Sequence, residues 1–136
     1  SADTFETALD WSKLKDYVAD AEQQIAQALA DEGEKVHVFT HLSHLYPQGS
    51  SAYTTYFFRT AGSYAETMQR WEKIKKIACE VIVKHGGTIS HQHGVGRDHA
   101  PYMSAEKGEL GMSAIRNMVE HLDPEQRLNP GVLLED

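Results

Sequence analysis

Behind Asp10, apolar residues recur at three- and four-residue steps: Leu14, Tyr17, Val18, Ala21, Ile25, Ala28 and Leu29 form one stripe. The spacing predicts a first helix with Asp10 as its N-cap and Gly33 as its stop. From Lys35 the period shortens to two. "KVHVFTHLSHL" is rich in β-branched and aromatic residues and reads as a strand. His37, Phe39 and His41 share one face of it, and Val36, Val38, Thr40, Leu42 and His44 the other. "YPQGSS" is turn chemistry. "AYTTYFFR" then reads as a second strand, with Tyr53, Thr55, Phe57 and Arg59 on one side, antiparallel to the first. Ser63 to Glu66 is a capping box, so a second helix opens there. Its apolar face (Tyr64, Met68, Trp71, Ile74, Ala78, Val81, Ile82) runs down to Gly86-Gly87. "TIS", residues 88–90, reads as a short third strand. A last helix is predicted from Ser104 to Leu122, with Leu110, Ala114, Ile115, Met118 and Leu122 inward, and Asp123-Pro124 ends it.

The predicted order is α-β-β-α-β-α, an α+β fold in which helices cover an antiparallel sheet. Three strands make a small sheet for three amphipathic helices. The chain opens abruptly at "SADTFETALDW", which reads as though strands precede it.

Composition narrows the function classes. The chain has 136 residues, enough for one domain with a core of its own. Its net charge of −7 argues against nucleic acid or an anionic membrane as partner, since both need clustered Lys and Arg. The one cysteine, Cys79, sits among Ile77, Ala78, Val81 and Ile82, so a buried thiol is expected and an internal disulfide is excluded. No apolar run reaches the roughly 18 residues of a membrane span, and the N-terminus lacks signal-peptide layout. A cytoplasmic protein is the expectation.

The chemistry concentrates in "GGTISHQHGVGRDH", residues 86–99. Three readings stand side by side. His91 and His93 point the same way on extended backbone, and with His99 they could ligate a metal. Gly94-Val95-Gly96 offers backbone N–H groups and Arg97 a charge, as a phosphate loop would, although the spacing matches neither common phosphate-binding glycine motif. Imidazoles on a glycine-pinned loop also suit general acid–base work. Tyr53, on a strand expected to neighbour "TIS", is a further candidate. Arg59 and Arg97 are candidates for an anionic substrate group.

The same residues carry a resemblance. "GGTISHQHGVG" resembles the His-rich loop of the FAD-linked oxidase C-terminal domain, found in vanillyl-alcohol-oxidase-type flavoproteins. "ADTFETALDWSKL", "SHLYPQGSSAYTTYFF" and "LDPEQRLNPGVLL" resemble its Glu-Thr…Trp, Ser-His-x-Tyr and Asn-Pro-Gly segments, so the likeness runs almost end to end. Within the family the chain looks most like the ether-lipid branch, the alkyldihydroxyacetonephosphate synthases, with Gln92 standing where that branch has a middle His. The hydroxy-acid dehydrogenase branch, acting on lactate or glycolate, shares only His93 and the glycines in this loop.

The resemblance implies a ferredoxin-like sheet whose face covers a flavin. It assigns residues 1–103 to an incomplete substrate-binding cap domain and 104–136 to a helix and tail returning to the FAD-binding domain. That domain, and the arginine gripping the substrate phosphate, would lie upstream. Tyr53, His91 and His93 are implied as catalytic, and Gly94, Gly96 and Asn129 as cofactor-binding. The implied cofactor is FAD and the substrate a small anionic molecule. In the synthases, acyl is exchanged for alkyl through an adduct at flavin N5. In the dehydrogenase branch, a hydride passes to the flavin. The isolated chain is expected to be inactive, and an unpaired sheet edge could join two copies into a homo-oligomer.

Overall fold

A computed structural model describes residues 1–134. The chain forms two compact units, Ser1–His93 and Gly94–Asp136. The first contains β1 (Ala2–Asp10), α1 (Trp11–Ala26), β2 (His37–Leu45), β3 (Gly49–Phe57) and α2 (Tyr64–His85). The second contains the four-residue α3 (Gly96–His99), α4 (Met103–Leu122) and an irregular tail.

The sheet has the order β1-β3-β2 and is antiparallel throughout. The fold is therefore α+β, as the pattern predicts, but its third strand is not the predicted one. That strand is β1, within a stretch whose three acids and two alanines mask the alternation of Phe5, Thr7 and Leu9. Residues 88–90 form no strand. They run beside β1 and make two backbone bonds near it: Thr88 N–H to the Ala8 carbonyl (3.3 Å) and His91 N–H to the Glu6 carbonyl (3.1 Å). Positive φ at Gln92 (62°) and Gly94 (74°) turns the chain away before a longer ladder can form. The expected adjacency of Tyr53's strand to this segment is also corrected. β3 is flanked by β1 and β2, so β1 lies between Tyr53 and residues 88–91.

Strand alternation sends Phe5, Thr7 and Leu9 of β1, with Ala52, Thr54 and Tyr56 of β3, to one face, where all are buried. Leu14, Tyr17, Ala21 and Ile25 of α1 and Ile74, Ala78, Val81 and Ile82 of α2 are buried with them, and Cys79 is buried as expected. Each such Leu, Ile, Val or Phe side chain contributes about 1.5–3 kcal/mol when fully buried, and an alanine methyl less. Asp3 fastens α2 to β1. It accepts from Trp71 Nε1 (2.8 Å) and Tyr56 Oη (2.9 Å), and pairs with Lys75 Nζ (2.9 Å).

The predicted helix signals mostly hold. Ser63 Oγ accepts from Glu66 N–H and donates to its carboxylate (2.8 Å), and Gly86 closes α2 in left-handed geometry. Asp10 occupies the N-cap position of α1 without a side-chain cap bond; the Trp11 N–H goes instead to the Gln48 carbonyl at 3.0 Å. The inward face expected for the last helix is wrong. Leu110 is 85% exposed and Leu122 71%, while Met103 and Met112 are buried. That predicted face lies wholly beyond Gly108, where the backbone leaves helical geometry (φ 65°, ψ 176°), and in the stretch after the break it is Met112, not Leu110 or Leu122, that is buried.

One glycine is imposed by backbone proximity. A Cβ on Gly49, which pairs with Asp10, would lie 1.9 Å from the Leu9 carbonyl oxygen. Gly49→Ala must push β1 and β3 apart, so urea unfolding should show a loss of about 2–4 kcal/mol. An unchanged midpoint would contradict this packing.

Candidate active site

The face of the sheet away from α1 and α2 carries the chemistry. Alternation places Thr4 and Glu6 of β1, Ser51, Tyr53 and Thr55 of β3, and Phe39, His41 and Ser43 of β2 on it. Among the described residues of this unit, no helix packs on that face. Glu6 pairs with Tyr53, and Tyr53 with His41, so carboxylate, phenol and imidazole lie in one row across three strands. His91 and His93 arrive at the free edge of β1, pinned by the bond from the His91 N–H to the Glu6 carbonyl.

Glu6 is the centre of the site. It is 4% exposed. Its Oε1 lies 3.3 Å from His91 Nδ1 and 3.6 Å from His44 Nδ1, and its Oε2 lies 3.3 Å from His93 Nε2. Neither contact to the loop imidazoles is aligned as a full hydrogen bond, a common state before substrate closes a site. Ser43 Oγ donates to Oε1 (2.5 Å). With that proton committed, Ser51 Oγ donates to Ser43 Oγ (2.6 Å) and accepts from the His44 N–H (2.9 Å). Burial pushes the Glu6 carboxyl up. The Ser43 and Ser51 hydroxyls and the neighbouring His91 outweigh it and hold the group below the ordinary carboxylate range.

Tyr53 and His93 meet edge to face, with ring centroids 5.4 Å apart, and His41 stacks on the other side of Tyr53 at 5.1 Å. Among the described residues, the Tyr53 hydroxyl makes a long bond to Thr4 Oγ1 (3.3 Å). His91 Nε2 is engaged by Tyr46 Oη at 3.0 Å. Tyr53, His91 and His93 are therefore brought together around Glu6.

Of the remaining predicted residues, Gly94, Gly96, Arg97, His99 and Asn129 belong to the second unit and Arg59 to the first. Gly94 (φ 74°) and Gly96 (φ 62°) both take left-handed backbone, and a Cβ on either would meet nothing within 4 Å. Asn129 also has positive φ (49°). His99 donates from Nδ1 to the Val95 carbonyl (2.7 Å), and Arg97 donates to the Pro130 carbonyl (3.2 Å). Arg59 lies 3.8 Å from Glu34 and is largely exposed. As to a metal, among the described residues the group whose ligand atoms come within 4.8 Å of one another is Glu6, His44 and His91, a different set from the three loop histidines.

Sequence reasoning missed Glu6 because β1 was not recognised as a strand. It missed Tyr46 and Ser43 as site residues, although both stand in the Ser-His-x-Tyr segment.

Comparison with known proteins assigns the family. The family model for FAD linked oxidases, C-terminal domain, matches residues 1–133. The chain belongs to this family. Its relatives include the alkyldihydroxyacetonephosphate synthases of Trypanosoma brucei brucei and Dictyostelium discoideum. The first is 32% identical over 98% of this chain and 21% of the relative, the second 30% over 97% and 21%. A glycolate oxidase subunit, GlcD of Bacillus subtilis (strain 168), is 35% identical over 48% of this chain and 14% of its own length. A solved alkyldihydroxyacetonephosphate synthase structure superposes with a TM-score of 0.60 at 22% identity, covering 90% of this chain and 19% of that one, and shows the shared fold. The chain thus spans about a fifth of the synthases it matches. As an FAD-linked oxidase C-terminal domain it serves FAD, and it supplies only part of the binding site for that cofactor.

The site fits such a cofactor. It offers a sheet face without a helix over it, three adjoining rings (His41, Tyr53, His93) and a buried carboxylate holding donors in place.

Proposed function

We propose that this chain forms the substrate-facing wall of a flavin site in an enzyme of the alkyldihydroxyacetonephosphate synthase type. The observation that carries the reading is the convergence of Tyr53, His91 and His93 on Glu6, on the face of the sheet opposite α1 and α2. FAD, when bound, supplies the electron-accepting ring at which the substrate carbon reacts. The chain's own residues place that carbon and move its protons. His93 takes or returns a proton within reach of Tyr53. The Tyr53 hydroxyl, held by one long bond, turns to the substrate oxygen. His91, fixed by Tyr46, walls the site beside them. Gly94 and Gly96 let backbone approach the cofactor without side-chain obstruction, and Asn129 lies toward the FAD-binding portion. Residues 104–136 return to that portion, which would cover the exposed Leu110, Met118 and Leu122. The anionic end of the substrate is gripped by residues outside this chain.

A second reading, a dehydrogenase of lactate or glycolate, is favoured by the likeness to the glycolate oxidase subunit. One experiment separates the two. The full-length protein, purified with its FAD, is mixed anaerobically with lactate, glycolate, or an acyl glycerone phosphate plus fatty alcohol. Alkyl product with no net bleaching of the flavin is expected. Bleaching by a hydroxy acid would replace the first reading with the second, and a full-length protein without flavin would end both.

A further inference from the structure

Resting on that flavoenzyme reading, we propose that Glu6 is a positioning residue that sets opposite tautomers on the two loop imidazoles: His91 carries its proton on Nδ1 and His93 on Nε2, which leaves His93 Nδ1 as the base. A neutral imidazole has one N–H and one lone pair, whereas an ionised carboxylate only accepts. Glu6 presents one oxygen to each ring, Oε1 to His91 Nδ1 and Oε2 to His93 Nε2, both at 3.3 Å. The other nitrogen of His91 faces the Tyr46 hydroxyl at 3.0 Å, which can donate into its lone pair. His91 Nδ1 is fully buried and has no hydrogen-bond partner other than this approach to Glu6. A lone pair there would confront the carboxylate with a second acceptor away from water, the costly arrangement.

The carboxylate itself cannot turn freely. The relay from the His44 N–H through Ser51 and Ser43 ends on Oε1 and holds that oxygen toward β2. His44 Nδ1, at 3.6 Å, also approaches Oε1, but it has the Ser43 and Ser51 hydroxyls at 3.3 Å as alternatives. Oε2 is thereby left to His93. A base that takes a proton at Nδ1 while donating from Nε2 to a carboxylate develops its positive charge beside a fixed negative one. The arrangement follows the logic of a carboxylate orienting a catalytic histidine, with one carboxylate serving two rings.

The test is 15N NMR of the histidine side chains in the 136-residue chain, at a pH where the rings are neutral. The expected result is His91 protonated at Nδ1 and His93 at Nε2. In Glu6→Gln, the amide offers one acceptor and one donor, so one ring keeps its form and the other loses it. Glu6→Asp, which keeps the charge on a shorter arm, should preserve both forms partially. His91 protonated at Nε2 in the unaltered chain, or two rings unmoved by Glu6→Gln, overturns the proposal. The wild-type spectrum decides even if a variant fails to fold. In the full-length flavoprotein, Glu6→Gln should lower turnover by about 10²–10⁴-fold with FAD content unchanged. The NMR readout needs no flavin. Fixed tautomers combined with fully active His93 variants would therefore sink the flavoenzyme role and leave the tautomer assignment standing.

Discussion

Asp3→Ala should lower the unfolding free energy of this chain by about 3 kcal/mol when followed by urea denaturation at neutral pH. The loss has two sources. Lys75 Nζ, 2.9 Å from Asp3 and with a side chain only 10% exposed, loses its counter-charge and keeps the Thr4 carbonyl at 3.2 Å and the Trp71 ring face at 5.7 Å. Trp71 Nε1 and Tyr56 Oη both lose the acceptor Oδ2. Removing the acceptor from a part-buried donor adds up to about 1–3 kcal/mol. The same residue predicts a pH dependence. Burial pushes the Asp3 carboxyl up, but the bonds from Lys75, Trp71 and the Thr4 N–H prevail and hold it below its ordinary value. A group with a depressed folded value stabilises fully above its unfolded value and loses that contribution as pH falls through the folded one. The unfolding free energy of the native chain should therefore decline more steeply below about pH 5 than that of Asp3→Asn. Parallel declines would remove Asp3 from the account.

The second large effect concerns turnover. In the full-length flavoprotein, His93→Gln and Tyr53→Phe should each reduce the rate by about 10²–10⁴-fold, the range for loss of a positioned proton-transfer group. FAD stoichiometry should stay at the wild-type value, because this chain supplies only part of the FAD-binding site. The paired variant should cost much less than the product of the two single losses, since the rings pack at 5.4 Å and serve one transfer. A variant that loses flavin along with activity would point instead to a structural role.

Local patterns carried much of this structure in plain view. β2 and β3 announce themselves by β-branched and aromatic content, and α2 by a capping box at one end and a glycine at the other. β1 does not, because a strand that hides an acidic residue in a functional row sacrifices the alternation by which strands are recognised. Reading it as the lead-in to a helix concealed Glu6, and with it the reason two histidines are held in one place. The loop residues were legible as chemistry because His91, His93 and the glycines are adjacent in sequence. Tyr46, Ser43 and Ser51 were not, since their partners lie 37 or more residues away, or one strand over, and only the register brings them together. The last helix misled for another reason: an apolar repeat tells which residues share a face, not what covers that face, and Leu110, Met118 and Leu122 stay exposed.

The proposed roles of Tyr53 and His93 require that the face carrying them lie against the flavin. Visible absorption of the full-length protein tests this directly, by comparing wild type with Tyr53→Phe and His93→Gln at equal FAD occupancy. Displaced flavin bands in both variants are predicted, because each change alters the rings and dipoles beside the chromophore. Spectra that superimpose on wild type, from proteins that fold and hold FAD, would place this face away from the cofactor and contradict the proposal.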